Sequence, residues 1–284
     1  MKTIQITSSL AAGIAICALA TAPVMAQNVI FHDHFNYPIG TFPAGPWGGT
    51  TGPEETPSGI IEVRQDTDNR FGRGMDNTYV YWSSNNESAA IRLDALNVFS
   101  VGAGPSIFTL SFEFIETTDP FASNPRSNRF ALRTYAGTGF NSQLQQVDFR
   151  DLRINDSAFL GAGSGYSHDT FSRLDYVFNT TGDSINYDSP DGLVALAAES
   201  SDIWINGALV ATGITITNAG SLTGFDLRNF SNNPGATFLI DDVAIFDGAV
   251  VGAPIPEPGT YALLFGGAAL AVALVVRRRT RRQG

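Results

Sequence analysis

The chain has 284 residues, of which 43% are hydrophobic and 15% charged, and its formal net charge at pH 7 is −10. This composition is typical of a folded protein with a sizeable core, and the acidic balance argues against a nucleic-acid partner. The one cysteine, Cys17, lies in an N-terminal segment that is predicted to be removed. The mature protein therefore has no disulfide framework, thiol nucleophile or cysteine metal site.

The N-terminal segment, residues 1–26, has the pattern of a signal peptide. Met1-Lys2 precedes the apolar, alanine-rich stretch Ala11–Ala22, and Val24-Met25-Ala26 supplies a cleavage site after Ala26. The stretch is too short and too weakly apolar for a permanent membrane span. We therefore expect a signal helix that directs export and is then removed.

Residues 27–250 are predicted to form one ectodomain. Apolar and polar residues alternate along several short runs, such as Leu110–Phe114 and Leu174–Phe178, as they do in strands with one buried face. Asn206-Gly207, between two such runs, indicates a hairpin with a type I′ turn. The turn-rich stretch Thr180–Gly192 is predicted to be a surface loop. The pattern predicts an all-β fold, a two-sheet antiparallel sandwich.

Three runs in this domain resemble the concanavalin A-like (LamG-like) jelly rolls. Val29–Asn36 resembles their opening strand, Ile203–Val210 their late hairpin, and Phe238–Phe246 their closing strand. The resemblance implies a jelly-roll ectodomain in which the first and last strands are neighbours.

Two aspartates on those terminal strands are candidate calcium ligands. Asp33 shares a strand face with Phe31, and Asp242 is expected to share a strand face with Ile240. On such an apolar face, burying an unpaired carboxylate is energetically costly. Many relatives in the resembled family hold a structural Ca²⁺ between these strands, and the resemblance implies the same role for Asp33 and Asp242. Asp241, on the opposite face, is a weaker candidate. The alternative is that each acid caps backbone N–H groups or ends its strand in water.

Two further sets of residues could carry chemistry. His32 and His34 share one strand face at a spacing that suits zinc or copper, although two surface histidines on an edge strand is the simpler interpretation. Glu113 and Glu116 invite comparison with glycosidase acid pairs, but a spacing of three places them on opposite strand faces. We therefore predict no catalytic residue in this chain.

Aromatic side chains are the candidates for a sugar-binding surface. Trp47 lies in a Gly/Pro-rich loop, and Trp82 opposes Tyr79 and Tyr81 along one strand, so that one of these two sets is expected to be exposed. Trp47 and Trp82 are the candidate carbohydrate-stacking residues. Between residues 27 and 255 there are 11 arginines against 26 acidic residues, which suits neutral polysaccharide or divalent cations better than nucleic acid or anionic lipid.

The C-terminal segment has three parts in a fixed order. A linker, residues 251–259, contains Pro256-Glu257-Pro258. An uncharged stretch, residues 260–276, is predicted to cross the membrane with help from snorkelling arginines, and its apolar part, Tyr261–Val276, is about 24 Å long as a helix. A basic tail, residues 277–284, is predicted to stay in the cytoplasm. Its five arginines are Arg277, Arg278, Arg279, Arg281 and Arg282.

These three parts together resemble the PEP-CTERM sorting signal of Gram-negative bacteria. The resemblance implies that an exosortase reads Pro256, Glu257 and Pro258, cleaves near them and transfers the protein from the inner membrane to the cell surface or extracellular matrix. The expected function is that of a non-catalytic, exported surface or matrix protein that interacts with polysaccharide or with other surface proteins. The alternatives are a secreted glycan-active hydrolase or lyase on the same sandwich, and a structural coat or adhesion module without affinity for sugar.

Overall fold

The computed structural model describes residues 28–41, 47, 59–84, 91–95, 98–117, 128–136, 143–148, 153–154, 158–159, 166–167, 169–231 and 236–253. All regular structure within these ranges is β-strand. The strands are β1 (Val29–Asp33), β2 (Gly59–Gln65), β3 (Thr78–Ser84), β4 (Ile91–Ala95), β5 (Ile107–Glu116), β6 (Asn128–Tyr135), β7 (Gln143–Asp148), β8 (Arg153–Ile154), β9 (Ala158–Phe159), β10 (Ser172–Asn179), β11 (Ile185–Ser189), β12 (Gly192–Leu196), β13 (Ser200–Ile205), β14 (Ala208–Thr215), β15 (Gly224–Ser231) and β16 (Ala236–Asp247).

The strands form two main antiparallel sheets. The larger sheet has the order β14-β13-β10-β5-β16-β3-β2, with β1 also paired to β16, and the smaller has the order β4-β15-β6-β7-β8-β9. Alternate residues of β5 and β10, among them Phe112 and Tyr176, pack in one cluster with Phe225 and Leu227 of β15. Because this core lies between the two sheets, the predicted two-sheet antiparallel sandwich is confirmed.

The predicted pairing of the first and last strands is also confirmed. β1 runs antiparallel to the second half of β16, with Phe31 opposite Ile245 and Asp33 opposite Val243. β3 pairs with the first half of β16, and β5 lines the other side of the same strand. The closing strand is therefore central in the larger sheet, which brings side chains of β1, β3 and β5 close to it.

A β-bulge interrupts β16 at its middle. Its register against β5 shifts between Asp241 and Ala244, and Asp242 has a positive φ of 45°. Ile240 and Val243 both belong to the core cluster, so that two residues instead of one lie between successive core positions. The extra residue places both Asp241 and Asp242 on the face of the larger sheet that points away from the smaller sheet, called here the outer face. The expectation that Asp242 shares a face with Ile240 is therefore wrong.

One hairpin forms an edge of the larger sheet, and a second packs on its outer face. The predicted type I′ turn joins β13 to β14, with positive φ at both Asn206 and Gly207. The predicted loop Thr180–Gly192 is wrong in part, because β11 pairs with β12 in a two-stranded ribbon. Tyr187 of this ribbon packs against Trp204 and donates a 2.7 Å hydrogen bond to Asp202. The sequence did not reveal β11 and β12, because apolar and polar residues do not alternate clearly along them.

The segment that follows β16 packs on the sandwich. The backbone N–H of Val250 donates to Thr109 Oγ1 at 2.8 Å, and that of Gly252 donates to Asp175 Oδ2 at 2.9 Å. Ala253 is buried against Ala244. The predicted boundary between residues 250 and 251 falls inside this packed segment. The predicted signal peptide, the membrane helix and the basic tail lie outside the described residues, and no helix in the described part is long and apolar enough to cross a membrane.

Candidate functional site

Two histidines and one aspartate meet on the outer face, and we call His32, His34 and Asp242 the His–Asp cluster. Alternation along β1 turns Asp33 toward the core, and so His32 and the residue after the strand, His34, turn outward. The bulge in β16 turns Asp242 toward them. Neither strand alone forms the cluster, since it depends on the pairing of β1 with β16.

The three side chains are close enough to share one ligand. His34 Nδ1 lies 2.8 Å from Asp242 Oδ1, and His32 Nε2 lies 3.5 Å from the same oxygen. One nitrogen or oxygen from each of the three residues lies within 4.8 Å of the other two. His32 Nε2 is buried and makes no hydrogen bond. The His–Asp cluster therefore offers imidazole nitrogen and carboxylate oxygen to a common point.

Arg73 closes the cluster on its other side. Its guanidinium forms an ion pair with Asp242 Oδ2 and another, at 2.6 Å, with Glu113 Oε2. The two oxygens of Asp242 thus face different groups, the imidazoles and the guanidinium. Arg73 lies in the segment that joins β2 to β3. The adjacent acids Asp241-Asp242 in the middle of a mostly apolar strand are the signal that could have revealed the bulge.

Burial shapes the protonation of this region. Burial, and then the neighbouring His34, lower the pKa of His32 to about 4. Burial also raises the pKa of Asp241 to about 7, against the opposing effect of a 2.7 Å hydrogen bond from Asn77 Nδ2. His32 is therefore a neutral imidazole near pH 7, which is the form that binds metals.

Asp33 does not join the His–Asp cluster. On the inner face, its Oδ1 accepts a 2.7 Å hydrogen bond from the Phe35 N–H, and its Oδ2 accepts from Tyr37 at 2.5 Å and from Trp47 Nε1 at 2.6 Å. Burial, followed by the hydrogen bond to Asp33, raises the pKa of Tyr37.

Asp33 and Asp242 thus point to opposite sides of the sheet and use their oxygens on different partners. They do not fit one shared calcium ion, which takes several oxygen ligands.

The two candidate sugar-stacking tryptophans are both core residues. Trp47 is 6% exposed and packs edge-on against Phe31 and Phe225, and Trp82 is fully buried. Tyr79 and Tyr81 are the half-exposed set on that strand, and Arg64 covers the ring of Tyr81 at 3.2 Å. Neither tryptophan offers a ring face to a sugar in this conformation.

The two glutamates of β5 lie on opposite faces, as their spacing predicts. Glu113 pairs with Arg73 on the outer face, whereas Glu116 accepts a 2.8 Å hydrogen bond from Tyr166, whose ring packs on Phe114 of the core. Both carboxylates are buried.

The predicted sorting residues Pro256, Glu257 and Pro258 and the five arginines lie outside the described residues. The packed segment ending at Ala253 leads directly into them. Residues 254–279 match the family description "PEP-CTERM protein-sorting motif". The chain carries a PEP-CTERM sorting signal. This signal implies export and sorting by an exosortase from a membrane-anchored precursor in a Gram-negative bacterium.

No curated protein matches this chain. Among solved structures, a carbohydrate esterase from the Shiga toxin-encoding bacteriophage phi24B is similar, with 11% identity, a TM-score of 0.44, and 78% of this chain and 100% of that one covered. The xylan-binding domain CBM22-1 of Paenibacillus barcinonensis Xyn10C has 8% identity and a TM-score of 0.32 over 79% and 98% of the two chains. A protein of unknown function with a galectin-like fold from Bacillus subtilis has 11% identity and a TM-score of 0.37 over 78% and 98%.

Proposed function

We propose that this protein is a non-catalytic exosortase substrate that is delivered to the cell surface or extracellular matrix, where its β-sandwich contacts polysaccharide or neighbouring surface proteins. The observation that carries the proposal is the PEP-CTERM match at residues 254–279. The signal directs sorting, and the sandwich is the part of the protein that remains after processing.

Two features of the sandwich support a binding or structural role over a hydrolytic one. Glu113 and Glu116 face opposite sides of β5, so they cannot flank one glycosidic bond. The excess of acidic residues between residues 27 and 255 disfavours anionic partners and is compatible with neutral glycans. The role in polysaccharide contact rests on the matrix destination that the sorting signal implies.

The sorting step predicts a defined change in mass. In a host that carries an exosortase, we expect the mature protein to begin after Ala26 and to lack Arg277–Arg282. Glu257→Ala should retain the arginine tail, because it alters the motif that the enzyme reads. Intact-mass spectrometry of the protein from cells and from medium measures both outcomes.

Glu62→Ala is the matched control for that experiment. Glu62 forms an ion pair with Arg64 that is partly exposed, and such pairs contribute little to stability. This variant should be processed as the wild type is. Retention of the tail in the wild type despite an active exosortase would contradict the proposal and favour a plain membrane anchor.

If the protein contacts polysaccharide as proposed, it should bind the polymer without cleaving it. We expect the processed protein to be retained by exopolysaccharide from its host and to release no reducing ends from it. Co-sedimentation with the polymer and a reducing-sugar assay measure the two properties. Release of reducing ends would favour the hydrolase, unsaturated products a lyase, and absence of retention by a correctly folded protein would favour a purely structural role.

A further inference from the structure

We propose that His32, His34 and Asp242 bind one divalent transition-metal ion, with zinc as the best-matched ion, on the outer face of the larger sheet. This site is separate from the sorting signal and differs from a calcium site between Asp33 and Asp242, because it uses both histidines and excludes Asp33.

The distances suit a small tetrahedral ion. Zinc bonds of about 2.0–2.1 Å hold neighbouring ligand atoms about 3.3 Å apart. The observed separations from Asp242 Oδ1 are 3.5 Å to His32 Nε2 and 2.8 Å to His34 Nδ1. His34 Nδ1 would move about half an ångström to reach that spacing from Asp242 Oδ1, and the two imidazole nitrogens lie within 4.8 Å of each other.

The donor atoms select the class of metal. Two imidazole nitrogens and one carboxylate oxygen suit zinc and similar borderline ions, whereas calcium and magnesium take mainly oxygen ligands. Three protein ligands leave the fourth tetrahedral position for water. The side chains of His32 and His34 are 14% and 25% exposed, which gives an ion a route from solvent.

Arg73 orients the carboxylate ligand, and Glu113 offsets the positive charge that Arg73 brings near the ion. Arg73 binds Asp242 Oδ2, which leaves Oδ1 to face the imidazoles, and ligating carboxylates are held in place by such outer partners. Glu113 neutralises Arg73 from its other side. The unbonded, buried His32 Nε2 gains a partner when the ion binds.

The test uses tag-free full-length protein in detergent, stripped with EDTA and dialysed against Zn²⁺. We expect one zinc per chain by elemental analysis, a higher melting temperature, and, with Co²⁺ as the probe, the visible absorption bands of a tetrahedral site. His32→Gln and His34→Gln should each weaken zinc binding by at least about 10-fold. His168→Gln removes the third histidine of the chain and is the matched control, with unchanged binding.

Circular dichroism checks that each variant folds. Should His34→Gln fail to fold, His32→Gln decides the outcome, because the Nε2 of His32 makes no hydrogen bond that folding needs. Less than one zinc per wild-type chain, or wild-type affinity in the His32→Gln/His34→Gln double variant, overturns the proposal. Stoichiometric calcium binding that excludes zinc also overturns it.

Discussion

Asp33→Ala is expected to lower the free energy of unfolding by about 3 kcal/mol or more. The carboxylate accepts hydrogen bonds from Phe35 N–H, Tyr37 and Trp47, and its removal leaves these donors without an acceptor. Each buried donor left unpaired costs about 1–3 kcal/mol. Because domains are stable by only about 5–15 kcal/mol, this loss is a large share of the total.

Urea unfolding followed by tryptophan fluorescence measures this loss, since Trp47, Trp82 and Trp204 are all buried in the native state. Tyr37→Phe is the graded control. It removes one donor and keeps the ring, so we expect a loss of about 1 kcal/mol. If Asp33→Ala had the wild-type urea midpoint, this carboxylate would not be what holds the segment after β1 to the core.

Gly104→Ala should destabilise the sandwich by about 3 kcal/mol, because the site has no room for a methyl group. A Cβ at position 104 would lie 1.7 Å from the carbonyl oxygen of Leu222 and 3.2 Å from Phe99 Cβ. The Leu222 backbone cannot move freely, since its side chain is fully buried and its N–H donates to Pro105 O at 2.9 Å. Forcing extra volume into such a contact costs about 1–3 kcal/mol or more.

Gly182→Ala is the matched control for this substitution. A Cβ there meets no atom within 4 Å, and the backbone needs no positive φ. We expect a neutral effect or a gain of up to about 1 kcal/mol from the reduced entropy of the unfolded chain. Thermal and urea unfolding of both variants measure the contrast. Equal stability of Gly104→Ala and Gly182→Ala would mean that the segments before β5 and β15 are not in close contact.

The zinc proposal and the sorting proposal are independent of each other. Loss of zinc binding in His32→Gln leaves residues 254–279 unchanged, so processing should continue. Loss of processing in Glu257→Ala leaves the His–Asp cluster intact. The two experiments can therefore fail separately.

The sequence by itself determined the features that depend on neighbouring residues. Alternation within β5 and β10 indicated which side chains face the core, and Asn206-Gly207 specified its hairpin through two positive φ angles. The PEP-CTERM signal is also readable without a fold, because it is one continuous segment, residues 254–279.

Only the tertiary structure decided which distant residues meet and which way they point. A bulge in β16 reverses the direction of Asp242. The adjacent acids Asp241-Asp242 are a sign of it in the sequence, but only the pairing with β5 shows which way each one points. Trp47 looks like an exposed loop residue until Asp33 and the aromatic core are placed around it. The His–Asp cluster joins residues more than 200 positions apart, and that proximity comes from the pairing of β1 with β16.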